Sequence, residues 1–238
     1  MNRNVLKIIA LISMLIDHIG MVFFPSVVIF KIIGRISMPI FAFFIAEGYF
    51  YTRSKCKYAI TMAIFMVISW VPFNLAFGFP MYKANILGVF LLSIFGMTII
   101  DKIKKNDNYK LAYIALFVLY MLICFILDGM GVIPEGILGV MLPIVFYAFR
   151  ENRVLKYTFA GVILVLLSIL VLLNNTGIFR FYQFFALLSL IFIALYNGQK
   201  GKLNLKYLFY LFYPIHLILL WAINVIIWFG KNDIFMLK

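Results

Sequence analysis

Charged residues are scarce in this chain of 238 residues: 12% are Asp, Glu, Lys or Arg, whereas 66% are hydrophobic. Soluble domains contain about 25% charged and about 45–50% apolar residues, so this composition excludes a water-soluble fold. A helix that crosses a bilayer needs about 20 apolar residues, which leaves room for about eight to ten spans. Composition therefore predicts an all-α, polytopic transmembrane helical bundle, with residues 1–238 as a single domain.

Cysteine, histidine and acidic residues are also rare, and each shortage excludes a class of protein. The two cysteines, Cys56 and Cys124, lie in a basic loop and inside an apolar run, so a disulfide framework has no support. Two histidines and eight acidic residues argue against a metal centre, and no metal cofactor is expected. The sequence also lacks a Gly-rich phosphate loop, a GxSxG elbow and an HExxH motif.

Apolar runs separated by polar interruptions predict nine helices. The first run is long enough to span a bilayer and lacks a small-residue cleavage site, so we interpret it as the first helix rather than a signal peptide. The sixth is short enough to be re-entrant. The predicted ranges are 5–24, 29–50, 58–77, 84–100, 111–127, 135–149, 157–173, 179–196 and 207–229.

The basic residues fall in short clusters at alternate ends of these helices rather than on one surface, which disfavours nucleic acid as a partner. By the positive-inside rule they predict a cytoplasmic N-terminus and, with nine spans, an outer C-terminus. If the sixth segment did not cross, two of the five clusters would lie outside. We therefore expect a protein of the bacterial cytoplasmic membrane whose inner loops contact anionic lipid headgroups. The clusters are Arg3 and Lys7; Arg53, Lys55 and Lys57; Lys102, Lys104, Lys105 and Lys110; Arg150, Arg153 and Lys156; Lys200, Lys202 and Lys206.

Few ionisable residues lie inside the predicted spans. A charge near the bilayer centre costs at least about 2.5–3.5 kcal/mol, so each such residue is a functional candidate. Those within spans are Asp17, His18, Arg35, Glu47 and His216, and Asp128 and Glu135 lie at the outer ends of the fifth and sixth helices.

Lys7 and His18 share one face of the first helix. At about 100° per residue their separation is about three full turns, or about 16 Å along the axis. A buried imidazole can accept a proton from an attacking nucleophile, because its ordinary pKa near 6.5 suits a general base. The alternative is a packing histidine that bonds to a neighbouring helix.

Asp17 projects about 100° away from its neighbour His18, so a direct pair within this dipeptide is disfavoured. The chain turns back after Gly20, and Arg35 then enters the second helix at a comparable depth. An ion pair between Asp17 and Arg35 would lower the cost of burying both charges. The alternative is that they hold an anionic substrate directly.

Glu47 and His216 complete the set of candidates. Glu47 lies towards the inner end of the second helix, where it can snorkel, cap a basic loop or contact a ligand that enters from the cytoplasm. His216 follows Pro214, which loosens the backbone of the ninth helix as happens where a helix lines a polar cavity. A second imidazole in the cavity of His18 is therefore a hypothesis.

Short motifs that combine polar, Gly, Pro and aromatic residues recur along nearly the whole chain. The motifs are LKIIA at 6–10, LIDHIG at 15–20, GR at 34–35, PIFAF at 39–43, AEGY at 46–49, TR at 52–53, PF at 72–73, LYNG at 195–198 and FYPIH at 212–216. In this order they resemble the motifs of the TraX family, and the likeness is most specific near the N-terminus.

The resemblance implies transfer of an acetyl group from acetyl-CoA to the N-terminus of a pilin subunit. The family looks related to transmembrane acyltransferases, which carry a basic residue, ten intervening residues and a His, and Lys7 and His18 match that spacing. Lys7 is then expected to hold the coenzyme A phosphates and His18 to act as catalytic base, with Arg35 and the aromatic hydroxyls as candidate oxyanion donors. Arg53, with its basic neighbours, would add phosphate contacts, although topology alone explains that cluster. The same site would suit a peptide, glycan or lipid acceptor.

Two other functions fit the buried polar residues. A proton-coupled transporter or flippase would use Asp17, His18, Arg35, Glu47 and His216 as its path, although no paired repeat is evident. A scaffold without chemistry is disfavoured by the cost of burying so many ionisable groups. The membrane-embedded acyltransferase is the leading hypothesis.

Overall fold

A computed structural model describes residues 1–174, 180–202 and 206–236, and within these ranges it contains helices and no strand. The helices are α1 (Arg3–Phe23), α2 (Val28–Gly34), α3 (Ser37–Tyr51), α4 (Lys55–Phe77), α5 (Ile86–Lys105), α6 (Lys110–Gly129), α7 (Gly136–Ala148), α8 (Arg153–Asn174), α9 (Leu188–Ala194) and α10 (Lys206–Met236). Short 3₁₀ turns at Asp107–Tyr109 and Arg180–Leu187 precede α6 and α9. The predicted all-α bundle is confirmed.

All nine predicted apolar segments are helical in the described part of the chain, but they differ in length. Seven are long and apolar enough to cross a membrane, with α2 and α3 together forming one of them. The sixth and eighth, Gly136–Ala148 and Phe181–Ala194, are shorter. A helix of this length rises about 20 Å, less than the roughly 30 Å of a bilayer core.

One end of the bundle collects the basic clusters, and we call it the basic end. The Met1 ammonium donates to the carbonyl of Leu195 over 2.8 Å, so the N-terminus lies against the loop after α9. The Arg150 guanidinium lies 2.9 Å from the ring centre of Phe50, which joins the loop after α7 to the end of α3. Both short segments therefore return the chain to the basic end, as the charge pattern predicted for the sixth.

Hydrogen bonds between helices also close this end. The Asp101 carboxylate near the end of α5 accepts hydrogen bonds from the Tyr49 hydroxyl, over 2.9 Å, and from the Tyr147 hydroxyl. The ring edge of one tyrosine meets the face of the other, with 5.0 Å between their centres. Three helices, α3, α5 and α7, are thus tied together through one carboxylate.

The second predicted helix is broken at Arg35, which corrects the continuous segment expected over 29–50. α2 ends at Gly34 and α3 begins at Ser37. Pro39 has no N–H to donate to the carbonyl of residue 35, so the helical ladder is interrupted there. The Ser37 hydroxyl donates instead to the carbonyl of Gly34 over 2.8 Å. The break sets Arg35 between two helices rather than within one.

Buried side chains, mostly from α1, α3, α5, α7 and α8, form the main core, to which α6 contributes Cys124. Tyr49, Phe146 and Leu164 are among its largest fully buried side chains. Only 6% of the apolar stretch that includes α6 is buried inside the protein, so the surface of this helix is suited to contact lipid. The polar residues of interest lie on the other side of the core, where α1, the α2–α3 break and α10 meet.

Cysteine labelling tests the orientation of the bundle. Cys56 is exposed at the basic end, whereas Cys124 is buried. Because the basic end is expected to face the cytoplasm, a membrane-impermeant maleimide should label Cys56 in inverted vesicles and not in intact cells. Met81, half exposed in the loop between α4 and α5, offers the opposite probe.

In the variant Cys56→Ser/Met81→Cys the pattern should reverse, with labelling from the outside only. Cys56→Ser alone is the control and should stay unlabelled from both sides. Labelling of Cys56 in intact cells would show that the bundle is inverted.

Candidate active site between two cavities

The larger cavity, which we call the inner cavity, enters the protein from the basic end and has a volume of about 680 Å³. Basic side chains line its shallow part and apolar side chains line its deep part. Lys7 is about two helical turns from Met14 along the same wall, which gives the cavity a charged mouth and an apolar floor. The basic lining residues are Arg3, Lys7, Lys57, Lys200 and Lys202.

The smaller cavity, the outer cavity, has a volume of about 210 Å³ and is lined by several ionisable and polar side chains among apolar ones. Asp17 and His18 reach it from α1, Arg35 from the α2–α3 break, Glu135 from the start of α7 and Gln183 from the 3₁₀ turn before α9. Four segments of the chain thus bring polar groups to one site.

Four residues line both cavities, and they form a thin wall between them. They are Met14, Phe41, Ile86 and Tyr213, from α1, α3, α5 and α10. The wall lies one helical turn from Asp17 and His18. The Tyr213 hydroxyl is the polar side-chain group in it. The two cavities are therefore separated by the width of a side chain.

The predicted ion pair between Asp17 and Arg35 is present. Arg35 Nη2 donates to Asp17 Oδ2 over 2.7 Å, and Arg35 Nη1 donates to Gln183 Oε1 over 3.2 Å. Gly34 makes this approach possible, because a Cβ atom on residue 34 would collide with the Asp17 carboxylate. Asp17 Oδ1 and Arg35 Nε are buried without a hydrogen-bond partner among the described residues. The pair therefore retains bonding capacity inside the site.

His18 and His216 are in direct contact. His18 Nδ1 lies 2.7 Å from His216 Nε2, and the two ring planes differ by only 10°. His216 Nδ1 lies 2.7 Å from the carbonyl oxygen of Phe212, one turn earlier in α10. The ring of Phe77 packs edge-on against His18 with 4.9 Å between centres. The two imidazoles thus meet directly among aromatic side chains, a contact that the sequence did not predict; the hypothesis was a shared cavity, and His216 lines neither the inner nor the outer cavity.

The other predicted site residues lie elsewhere. Lys7 lines the inner cavity, where its ammonium group is 5.2 Å from the ring centre of Phe44. His216 lines neither cavity and reaches the site only through His18. Glu47 and the exposed Arg53 also line neither cavity, although both lie at the basic end. The predicted site residues thus do not form one site. Lys7 lines the inner cavity, Asp17, His18 and Arg35 line the outer cavity, and the others line neither.

Two residues of the site were not singled out by the sequence. Gln183 is an amide within the eighth apolar run, and that exception to an apolar pattern was an available signal. Tyr213 lies three residues before His216 on the same helix, so the two share a face. Glu135 was noted as buried at a helix end but had no role. It lies within electrostatic range of Arg35.

The fold and this site define a helical multi-pass membrane protein with a polar centre enclosed between two cavities. A family model described as "TraX protein" matches residues 2–224, so the chain belongs to the TraX family. It is 26% identical to a probable fimbrial assembly protein, FimC of serogroup H1, from Dichelobacter nodosus, over 92% of this chain and 97% of that protein. An uncharacterized protein of Rickettsia prowazekii (strain Madrid E) is 41% identical over 30% of this chain and 29% of its own length. The comparison with solved structures gave no significant match.

The ion pair should carry much of the stability of this region. Arg35→Met leaves the Asp17 carboxylate buried without its partner, which typically costs about 3–5 kcal/mol. We expect a clear fall in the unfolding temperature of the detergent-purified protein. The double variant Asp17→Leu/Arg35→Met removes both charges and should regain most of that loss. A double variant less stable than Arg35→Met would contradict this assignment.

Proposed function

We propose that this protein is a membrane-embedded acyltransferase that takes an acyl group, most simply acetyl, from acyl-CoA on the cytoplasmic side. The arrangement of the two cavities carries the proposal. One has a basic mouth and an apolar floor, the other is polar, and they adjoin beside His18. A donor and an acceptor can then approach the same imidazole from opposite sides. Membership of the TraX family supports this function.

The inner cavity suits coenzyme A as the carrier of the acyl group. Five Lys and Arg side chains at its mouth match the negative charge of the nucleotide phosphates. The rise of about 16 Å from Lys7 to His18 is of the order of an extended pantetheine arm. A thioester at the cavity floor would thus lie near the shared wall while its phosphates stay at the basic end. The predicted contact of Arg53 with these phosphates remains a prediction, since Arg53 lies outside the cavity.

The reaction then needs one proton acceptor. His18 takes a proton from the acceptor's N–H or O–H as the nucleophile forms a bond to the thioester carbonyl carbon. The carbon–sulfur bond breaks as the tetrahedral intermediate collapses, and the proton on His18 passes to the departing thiolate. The negative charge on the carbonyl oxygen during this step requires a donor at the wall. The Tyr213 hydroxyl lies there, so we assign it this role ahead of Arg35, which is engaged by Asp17.

The acceptor is expected to enter the outer cavity. Asp17, Arg35, Glu135 and Gln183 offer both charge signs and an amide there, which suits a polar group such as an amine or hydroxyl. The similarity to a probable fimbrial assembly protein favours a peptide acceptor such as a pilin N-terminus. A glycan or lipid would satisfy the same chemistry. The basic inner loops favour the bacterial cytoplasmic membrane, with this cavity on its outer side.

Donor binding can be measured by calorimetry with acetyl-CoA and detergent-purified protein. Lys7→Ala should weaken binding about tenfold or more, because a charge-assisted hydrogen bond contributes about 1.5–3 kcal/mol. Lys110→Ala is the matched control, since Lys110 is an exposed lysine at the basic end that does not line the cavity. Its affinity should equal that of the wild type. If the folded wild-type protein does not bind acetyl-CoA, the proposed donor site is wrong. Transport would then be tested by measuring substrate flux in proteoliposomes.

Catalysis can be followed by release of free coenzyme A and by acyl transfer to a pilin peptide. His18→Ala should lower kcat by about 10²–10⁴-fold, the usual contribution of a general base. The affinity for acetyl-CoA should change little, because His18 lines the outer cavity only. A folded His18→Ala protein with full activity would exclude His18 as the base.

A further inference from the structure

We infer that His216 is a positioning residue that holds His18 in the tautomer whose Nε2 atom is the free base. The inference deepens the proposed function and depends on it for its catalytic meaning. The hydrogen-bond pattern itself does not depend on the proposed function, because it follows from the positions of four atoms in α10 and α1. The sequence suggested only that His216 shares the cavity of His18.

The pattern begins at the backbone of α10. The carbonyl oxygen of Phe212 can only accept a hydrogen bond, so His216 Nδ1, at 2.7 Å, must carry the proton. A neutral imidazole has one N–H group and one lone pair. His216 Nε2 therefore bears the lone pair and can only accept.

The same reasoning then fixes His18. His216 Nε2 lies 2.7 Å from His18 Nδ1, so His18 Nδ1 must donate the proton of that bond. The nearly parallel ring planes, 10° apart, direct this proton along the ring plane into the lone pair of His216. The remaining nitrogen of His18, Nε2, is left unprotonated. It is the atom that a general base needs.

The bond survives the reaction. When His18 Nε2 takes a proton, the imidazolium still donates from Nδ1 to His216 Nε2, so the partner stabilises the charged form in place. A carboxylate fills this role in Ser-His-Asp triads, where the wrong tautomer is severely damaging. Asp17 does not fill it, because it projects about 100° away from His18 on α1 and is paired with Arg35. A second histidine supplies the acceptor without adding a buried charge.

Nitrogen NMR tests the tautomers directly. The chain contains only two histidines, so ¹⁵N-histidine labelling gives four ring nitrogens, and the His18→Ala and His216→Phe variants assign them. Near neutral pH we expect both Nδ1 atoms to be protonated and both Nε2 atoms to bear lone pairs. A scalar coupling between His18 Nδ1 and His216 Nε2 should report the N–H···N bond. A proton found on His18 Nε2 would overturn the inference.

Kinetics test what this bond contributes. His216→Phe keeps an aromatic ring but removes the acceptor, and should lower kcat about 10- to 100-fold with an unchanged KM for acetyl-CoA. His216→Gln retains an oxygen that can accept from His18 Nδ1, and should recover much of the loss. Ile215→Phe is the control, because Ile215 is half exposed on the same helix and should leave activity unchanged. Equal losses in the Phe and Gln variants would indicate a packing role only and would overturn the inference.

The experiments can contradict the proposed acyltransferase function and the positioning role of His216 independently of each other. If the NMR pattern is found but neither acyl transfer nor acetyl-CoA hydrolysis depends on His18, the proposed function fails while the tautomer assignment stands. If His18→Ala abolishes transfer but His216→Phe is fully active, the acyltransferase stands and the positioning role of His216 is wrong. Unfolding temperatures of each variant identify any loss that comes from misfolding.

Discussion

The ion pair between Asp17 and Arg35 is the constraint around which the polar centre is arranged. Burying either charge alone within an apolar bundle costs much free energy, and pairing the two charges lowers that cost. Three local features serve their approach: Gly34 leaves room for the carboxylate, Pro39 interrupts the helix beside Arg35, and Gln183 takes a second guanidinium proton. With Asp17 held in this way, its neighbour His18 is turned towards α10 and the wall between the cavities.

Asp17 and His18 are adjacent on α1 but have different partners. One short stretch of this helix therefore forms both the ion pair and the histidine pair. Adjacent residues on a helix point about 100° apart, so Asp17 and His18 cannot both face the same partner. Asp17 faces the α2–α3 break and binds an arginine. His18 faces α10 and binds an imidazole. The structural pair and the proposed reactive pair thus share a backbone segment without sharing a hydrogen bond.

The features that local periodicity and charge determine were predictable from the sequence. The helical class, the common end of the basic clusters and the Asp17–Arg35 pair follow from apolar runs, the positive-inside rule and a short return loop. Contacts across long stretches of chain were not, because His18 and His216 are 198 residues apart and nothing local records their meeting. The break at Arg35 was missed because a 22-residue apolar run outweighed Pro39. The cavities depend on the packing of side chains from most of the helices, which one sequence does not report.

The short helices of the bundle have a consequence for the surrounding lipid. α7 and the segment Phe181–Ala194 both begin near the depth of Arg35 and run to the basic end. Each is only about 20 Å long, and whereas α7 is buried in the core, Phe181–Ala194 exposes Phe181, Leu188 and Ile191 on the surface. A bilayer adapts to a short exposed apolar segment by becoming thinner around it. The bilayer beside the outer cavity is therefore expected to be thinner, with its outer surface closer to the polar centre. A water-soluble chain end that approaches from outside would then cross a thinner layer of lipid before it reaches the outer cavity.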